Sequence, residues 1–268
     1  SLISETIFGP GALGGSCLTI EGSSNDNATI RGFSFIGGSN QYGGGIIINN
    51  SSLTLSDLII EDNSADFGGG IYLSESDAIL NNIVIRNNGA NEGGGVYISG
   101  GLPILNNVVV QNNIGYWGGG LYIENAQPII SYGTIKNNEA FIEGAGMYQI
   151  GGSSLVEWTA FEYNNGYDYG GAVVANQASI DINQATFSGN ISGVGSAMSI
   201  YSSVITMNNS ILWGNVGPPI YAPESSGINY FNVHYSDIEG GEELFSDYEN
   251  ILFSSDGMKE HIGGVILY

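Results

Sequence analysis

Residues 68–92 read GGGIYLSESDAILNNIVIRNNGANE, and residues 93–117 read GGGVYISGGLPILNNVVVQNNIGYW. The two lines match at the glycine triplet and its following aliphatic, and again at an apolar residue three places before an Asn (Ile85…Asn88 over Val110…Asn113). Working outward, the triplet recurs as Gly43-Gly44-Gly45-Ile46 and Gly118-Gly119-Gly120-Leu121. It degrades through Gly144-Ala145-Gly146-Met147, Gly170-Gly171-Ala172-Val173 and Gly195-Ser196-Ala197-Met198. Successive aliphatics fall 25, 25, 25, 26, 26 and 25 residues apart. The second motif keeps step as Ile60…Asn63, Ile135…Asn138, Phe161…Asn164, Phe187…Asn190 and Leu212…Asn215. Two motifs in register over this length mark a repeat architecture.

A unit of 25 residues is too short for helix-turn-helix repeats, which need more than about 30. The chain is also rich in Gly (43 residues) and Asn, both poor helix formers. Leucine-rich repeats share the length, but their leucine-plus-asparagine consensus is absent. Short apolar runs such as Ile83-Val84-Ile85 and Leu121-Tyr122-Ile123, separated by polar, Gly-rich corners, read as short strands. Stacking each strand on its counterpart predicts an all-β, right-handed parallel β-helix, since parallel crossovers are right-handed. Each coil of about 25 residues adds about 4.8 Å, and the repeats account for roughly seven to nine coils.

The chain reads as one domain over 1–268, with regular coils over about 28–217. Irregular coils and a cap are expected over 218–268, where Pro218, Pro219 and Pro223 break the rhythm. Ser1 to Gly15 reads as loop and strand already in progress, with no amphipathic capping helix. The recurring Asn is expected to bond its turn backbone and its neighbours above and below, and to take the left-handed corner conformation. The final Val265-Ile266-Leu267-Tyr268 reads as a covering strand or as an edge open to self-association through terminal coils.

Charge narrows the partners. Against 26 acids stand four bases (Arg31, Arg86, Lys136 and Lys259), a net charge of −22. Nucleic acid and anionic membranes both require a basic face, so neither is an expected partner. No apolar run approaches the roughly 18 residues of a membrane span. Cys17 is alone, so no internal disulfide forms. The chain starts at Ser1 without a signal peptide, as a mature protein or an excised piece does.

The paired motifs Gly-Gly-Ala/Gly-Ile and Phe-x-x-Asn resemble the repeats of chlamydial polymorphic outer-membrane proteins. They equally resemble the broader right-handed parallel β-helix family of secreted bacterial surface proteins. Arg31-Gly32-Phe33-Ser34-Phe35-Ile36-Gly37-Gly38 resembles that family's opening coil, and Val233-His234-Tyr235-Ser236-Asp237-Ile238-Glu239-Gly240-Gly241 its closing one. The resemblance spans about 28–241. It implies a β-helix that is secreted or displayed at a cell surface. Members include adhesins, glycan-binding modules and polysaccharide-degrading enzymes, so no catalytic residue carries over.

Enzyme chemistry has few candidates. A uronate lyase needs cations against the substrate carboxylate and a base for the α-proton. Arg86 and Lys136 share a coil position two coils apart, but the row Glu61, Arg86, Gln111, Lys136, Glu162 reads as a surface ladder of alternating charge. A glycoside hydrolase needs two placed carboxylates. Glu92 and Glu143 hold nearly equivalent positions two coils apart with Trp117 between them, although the residue inserted near Phe141 is expected to shift Glu143. The pectinase signatures are missing around His234 and His261. One Cys and two distant His leave no zinc site. No resident cofactor or metal is expected, with calcium through carboxylates and Asn carbonyls as the one admissible metal chemistry.

Aromatic rows carry the binding expectation. Tyr72, Tyr97, Tyr122 and Tyr148 each follow a core aliphatic, and alternation turns them outward. Tyr42, Phe67, Trp117 and Tyr169 each precede a glycine turn. With the triplets read as a smooth floor between the rows, Tyr72, Tyr97, Tyr122, Tyr148, Phe67, Trp117 and Tyr169 form a sugar-stacking surface. The alternative is that tyrosines simply stack well on a sheet face. The reading that results is an exported, non-catalytic module whose partner is a polysaccharide, a cell-surface glycan or a protein. Its rivals are a fibre subunit stacked end to end and a polysaccharide lyase or hydrolase.

Overall fold

The computed structural model describes residues 6–11, 14–22, 28–245 and 248–256. Each repeat closes one turn of a parallel β-solenoid, and about 10 turns stack at intervals of about 25 residues. That exceeds the seven to nine expected from the motifs. The difference lies at the ends, where Thr6–Phe8 pairs with the strand from Phe33 and Ile251–Asp256 pairs with Asn229–His234, neither carrying a repeat signature.

The turn of residues 68–92 shows the plan. Ile71–Ser74 is the first flat. The strand Ile79–Arg86 supplies the second and third flats, bending at Asn82. Residues 89–92 form the fourth flat, bridged from Glu92 to Phe67 on one side and to Trp117 on the other. Four residues with positive φ turn the corners: Gly68 (67°), Glu75 (47°), Asn82 (57°) and Asn87 (56°). Such values favour Gly and Asn, which explains much of the composition.

The first flats form nine parallel strands in unbroken order, from Leu18–Glu21 to Ile220–Tyr221. In that sheet Ile71 pairs with Ile46 and Val96, and Tyr72 with Ile47 and Tyr97. Inward positions of all flats merge into one apolar core, where Phe161 and Phe187 stack at 4.9 Å. The glycine triplets are buried and filled by backbone, so they make no open floor. A Cβ on Gly68 would lie 2.3 Å from the Ile71 carbonyl oxygen, and one on Gly69 would lie 2.5 Å from the carbonyl oxygens of Gly89 and Gly94.

The asparagines run inside the tube. Asn113 Nδ2 donates to the Ile85 carbonyl (3.1 Å) and to Asn138 Oδ1 (3.0 Å), while Asn113 Oδ1 accepts from Asn88 N and Asn88 Nδ2, both at 3.0 Å. The pattern runs from Asn63 to Asn215. The left-handed residue is the one before each ladder Asn, such as Asn87, Asn112 and Asn137, and not the ladder Asn itself. The ladder side chain is wholly committed to interstrand bonds, so the neighbouring residue makes the corner.

Beyond Asn215 the rhythm stumbles once and recovers. Met198 pairs with Ile220 after only 22 residues, yet Ile205 pairs with Phe231 and Leu212 with Ile238 at the usual 26. Val265–Tyr268 lies outside the described residues, as do Lys259 and His261.

Candidate functional site

The outward residues of the first flat and those ending the fourth flat meet across the glycine corner. Tyr72, Tyr97, Tyr122 and Tyr148 stack in one axial file, with centroids 5.3, 5.0 and 5.1 Å apart. Alternation does turn them away from the core, yet Tyr97 and Tyr148 are only 6% and 7% exposed. Near-parallel rings in a file cover each other's faces, so they present edges and hydroxyls outward. Tyr42 and Phe67 continue the surface, stacked at 5.3 Å, and each meets the tyrosine file edgewise.

The second file reads Tyr42, Phe67, Glu92, Trp117, Glu143, Tyr169 in direct register. The extra residue of that coil does not displace Glu143. A bulge sets Phe141 and Ile142 opposite Tyr116, and pairing resumes at Trp117 with Glu143. Glu92 and Glu143 thus flank Trp117 two coils apart, about 10 Å along the axis.

Glu124, on the first flat beside Tyr122, adds a third carboxyl and accepts a 2.7 Å hydrogen bond from the Tyr97 hydroxyl. Burial, and then the charge of Glu124, push the Glu92 carboxyl above its ordinary range. Burial also raises Glu143, against the lowering effect of a 2.9 Å hydrogen bond from the Tyr201 hydroxyl. The phenols of Tyr97, Tyr122 and Tyr148 are raised by burial first and by these carboxylates besides.

Tyr201 reaches Glu143 across 58 residues of sequence because the tyrosine file is interrupted after Tyr148. Val174 and Ser199, both buried, hold the next two positions before Tyr221. A cavity of about 560 Å³ opens beside Tyr201, lined by Glu143, Asn176, Tyr201, Ser202 and the turn containing Pro223 and Ser226. Asn176 Nδ2 donates to the Tyr148 hydroxyl at 3.3 Å. The Ser199 hydroxyl is buried and makes no hydrogen bond.

Arg86 and Lys136 lie elsewhere. The register Glu61, Arg86, Gln111, Lys136, Glu162 runs along the third flat, and Arg86 Nε is 2.6 Å from Glu61 Oε2. The Asn corner separates Arg86 and Lys136 from Glu92 and Glu143, and the carboxyls beside the two cations are instead Glu61 and Glu162. Arg31 sits on the second flat beside Asp57. Among the described residues, no three His, Cys, Asp or Glu side chains converge as a metal cluster.

The sequence reading passed over a further aromatic run. Tyr116, Phe141 and Tyr167 are 48%, 45% and 51% exposed on the fourth flat, with centroids 5.5 and 5.6 Å apart. Their spacing of 25 and 26 residues was signal enough. Glu124 was legible by alternation from Tyr122. Tyr201 was not, because its reach depends on Ser199 in its own strand and Val174 in the coil before.

Comparison with known proteins adds no relative: no family model matches the chain, and neither curated proteins nor solved structures give a significant match. The likeness to chlamydial and other bacterial surface repeats therefore rests on the motifs alone.

Proposed function

We propose that this chain is a non-catalytic β-solenoid that binds polysaccharide along the side of the rod bearing Trp117. The observation that carries this reading is the axial aromatic surface of Tyr42, Phe67, Trp117 and Tyr169, widened by Tyr116, Phe141 and Tyr167 and interleaved with carboxyls. Aromatic surface supplies apolar contact to sugar rings, and carboxyls and phenols supply hydrogen bonds that fix orientation. A regular solenoid alternates the two along its axis from Phe67 to Tyr169, which suits a polymer better than a small molecule. Its setting at a cell surface or outside the cell rests on the resemblance of its repeats.

Affinity electrophoresis through gels containing neutral, acidic or amine-bearing polysaccharides, with and without calcium, tests the reading. Retardation without new reducing or unsaturated ends is expected, with loss of retardation in Trp117→Ala. Migration unchanged by every polymer overturns it.

One observation favours a second reading. Glu92 and Glu143 flank Trp117 near the spacing of an inverting glycosidase, whose carboxyls stand about 6.5–9.5 Å apart. That reading requires reducing ends to appear in the same gels and to disappear in Glu92→Gln and in Glu143→Gln.

A further inference from the structure

The tyrosine file is interrupted once, between Tyr148 and Tyr221, where the fully buried Val174 and Ser199 hold the two intervening positions. Tyr201, on the same strand as Ser199, reaches to Glu143 instead, and a cavity of about 560 Å³ opens beside this pair. Three side chains of different hydrogen-bonding character meet at it: the Glu143 carboxyl, the Tyr201 hydroxyl and the Asn176 amide. Tyr201 holds Glu143 at 2.9 Å, and Asn176 leans on Tyr148 at 3.3 Å, so two of the three are oriented in the unliganded protein. The volume lies within the ordinary range for ligand sites, roughly 300–1,000 Å³.

Charge decides the class of sugar. None of the described bases stands on the first or fourth flat: Arg31 is on the second and Arg86 and Lys136 are on the third. Arg86 is already paired with Glu61. Glu143 therefore faces the cavity with a phenol for a partner and no cation. Glu92 and Glu124 repeat that condition along the file, so a polymer lying on it passes one uncompensated carboxyl after another. A desolvated carboxylate gains most from a positive hydrogen-bond donor. Acidic polymers, by contrast, meet a chain of net charge −22.

We propose that the cavity seats one residue of an amino-sugar polymer bearing free amines, with the ammonium against Glu143, the sugar hydroxyls against Tyr201 and Asn176, and further ammonium groups against Glu124 and Glu92. This rests on the polysaccharide reading above and names its ligand. Trp117, between Glu92 and Glu143, offers a ring face or edge to the same chain, and cations are attracted to aromatic faces.

Three hexasaccharides separate the possibilities by calorimetry at low ionic strength: glucosamine hexamer, N-acetylglucosamine hexamer and cellohexaose. The glucosamine hexamer is expected to bind at least about tenfold more tightly than the other two, since a hydrogen bond to a charged group outweighs a neutral one by about that factor. Salt should weaken that binding and leave any cellohexaose binding unchanged. Glu143→Gln should weaken the glucosamine hexamer about tenfold, and Asn176→Ala provides the same test should the first variant fold poorly. Glu162→Gln, which removes a charge from the third flat, should leave affinity unchanged. Equal binding of all three hexamers overturns the amine assignment and leaves the polysaccharide reading intact. Binding by none of them, together with unretarded migration in every gel, overturns both. Weakening by Glu162→Gln equal to that by Glu143→Gln, or a hexalysine that competes as well as the glucosamine hexamer, overturns the site in favour of attraction by net charge.

Discussion

Two ladders run along the axis of this solenoid, and they obey different rules. The asparagine ladder continues unbroken from Asn63 to Asn215, and its members from Asn63 to Asn190 are buried, each side chain bonded to the coil on either side. The tyrosine ladder is continuous only from Tyr72 to Tyr148, lies outside the core, and is interrupted by Val174 and Ser199 before Tyr221. A device that holds coils together is needed at every coil, because a missing rung leaves buried backbone groups without partners. A device that meets a ligand is needed only where the ligand lies. Continuity fits a scaffold element, and interruption is what the binding surface proposed above would allow.

The largest effect expected is on the asparagine side. Asn113→Ala removes the acceptor of Asn88 N and the donor to the Ile85 carbonyl, leaving two buried groups unpaired. Unsatisfied groups cost about 1–3 kcal/mol each, so urea unfolding should show a loss of about 4 kcal/mol. Its neighbour Asn112 is exposed and holds the corner at φ 57°. Asn112→Ala loses only the left-handed preference, about 1 kcal/mol. Equal costs for the two variants would erase the distinction between ladder and corner.

On the tyrosine side the same contrast appears within one surface. Tyr97 is sandwiched between Tyr72 and Tyr122 and bonded to Glu124. Tyr97→Ala should lose about 3 kcal/mol of stability, as large buried rings do. Tyr116→Ala, at a half-exposed ring, should lose about 0.5 kcal/mol or less while weakening retention in polysaccharide gels. Tyr97 is therefore a poor probe of binding. A Tyr116→Ala variant that binds normally would move the contact surface back across the glycine corner.

These differences mark what the sequence makes legible. Spacing alone fixes the register of Glu61, Arg86, Gln111, Lys136 and Glu162 and the order of Phe67, Glu92, Trp117 and Glu143, because parallel stacking keeps residues one coil apart adjacent. Spacing does not tell how deep a side chain sits. Alternation turns Tyr97 outward, yet the rings beside it bury it. The glycine triplets read as open floor because glycine has no side chain, whereas the backbone of adjoining coils fills that space. Tyr201 reaches Glu143 from two coils away, a contact set by the volumes of Val174 and Ser199 rather than by any period.

A smaller effect sharpens the electrostatic side of the comparison. Glu92 has its pKa raised in the folded state, so folding favours its protonated form. A raised carboxyl contributes stability below its unfolded value of 4.5, and that contribution is lost as pH climbs through the folded value. Glu92→Gln removes the dependence. The variant should match the parent in acid and melt above it at neutral pH, by about 2 °C or less, since the carboxyl is partly solvated. The gap should narrow with added salt, because part of the shift comes from Glu124. A variant that melts lower at neutral pH would mean that Glu92 has a favourable partner, against an uncompensated file.

A further change lies at the break itself. Ser199 occupies a tyrosine position, and its hydroxyl is buried without a hydrogen bond between Val174 and Tyr221. A scaffold position selected for packing would carry an apolar group there, as Val174 does one coil earlier. Ser199→Ala deletes an unsatisfied hydroxyl and little volume, so it should raise stability by about 1 kcal/mol. A gain would show that this coil is not optimised as scaffold, which is expected where the file is interrupted. A loss would show that the hydroxyl has a partner in solution and that the asparagine rule, every buried polar group bonded, holds on this side too. The break would then be part of the framework, and the two ladders would differ only in length.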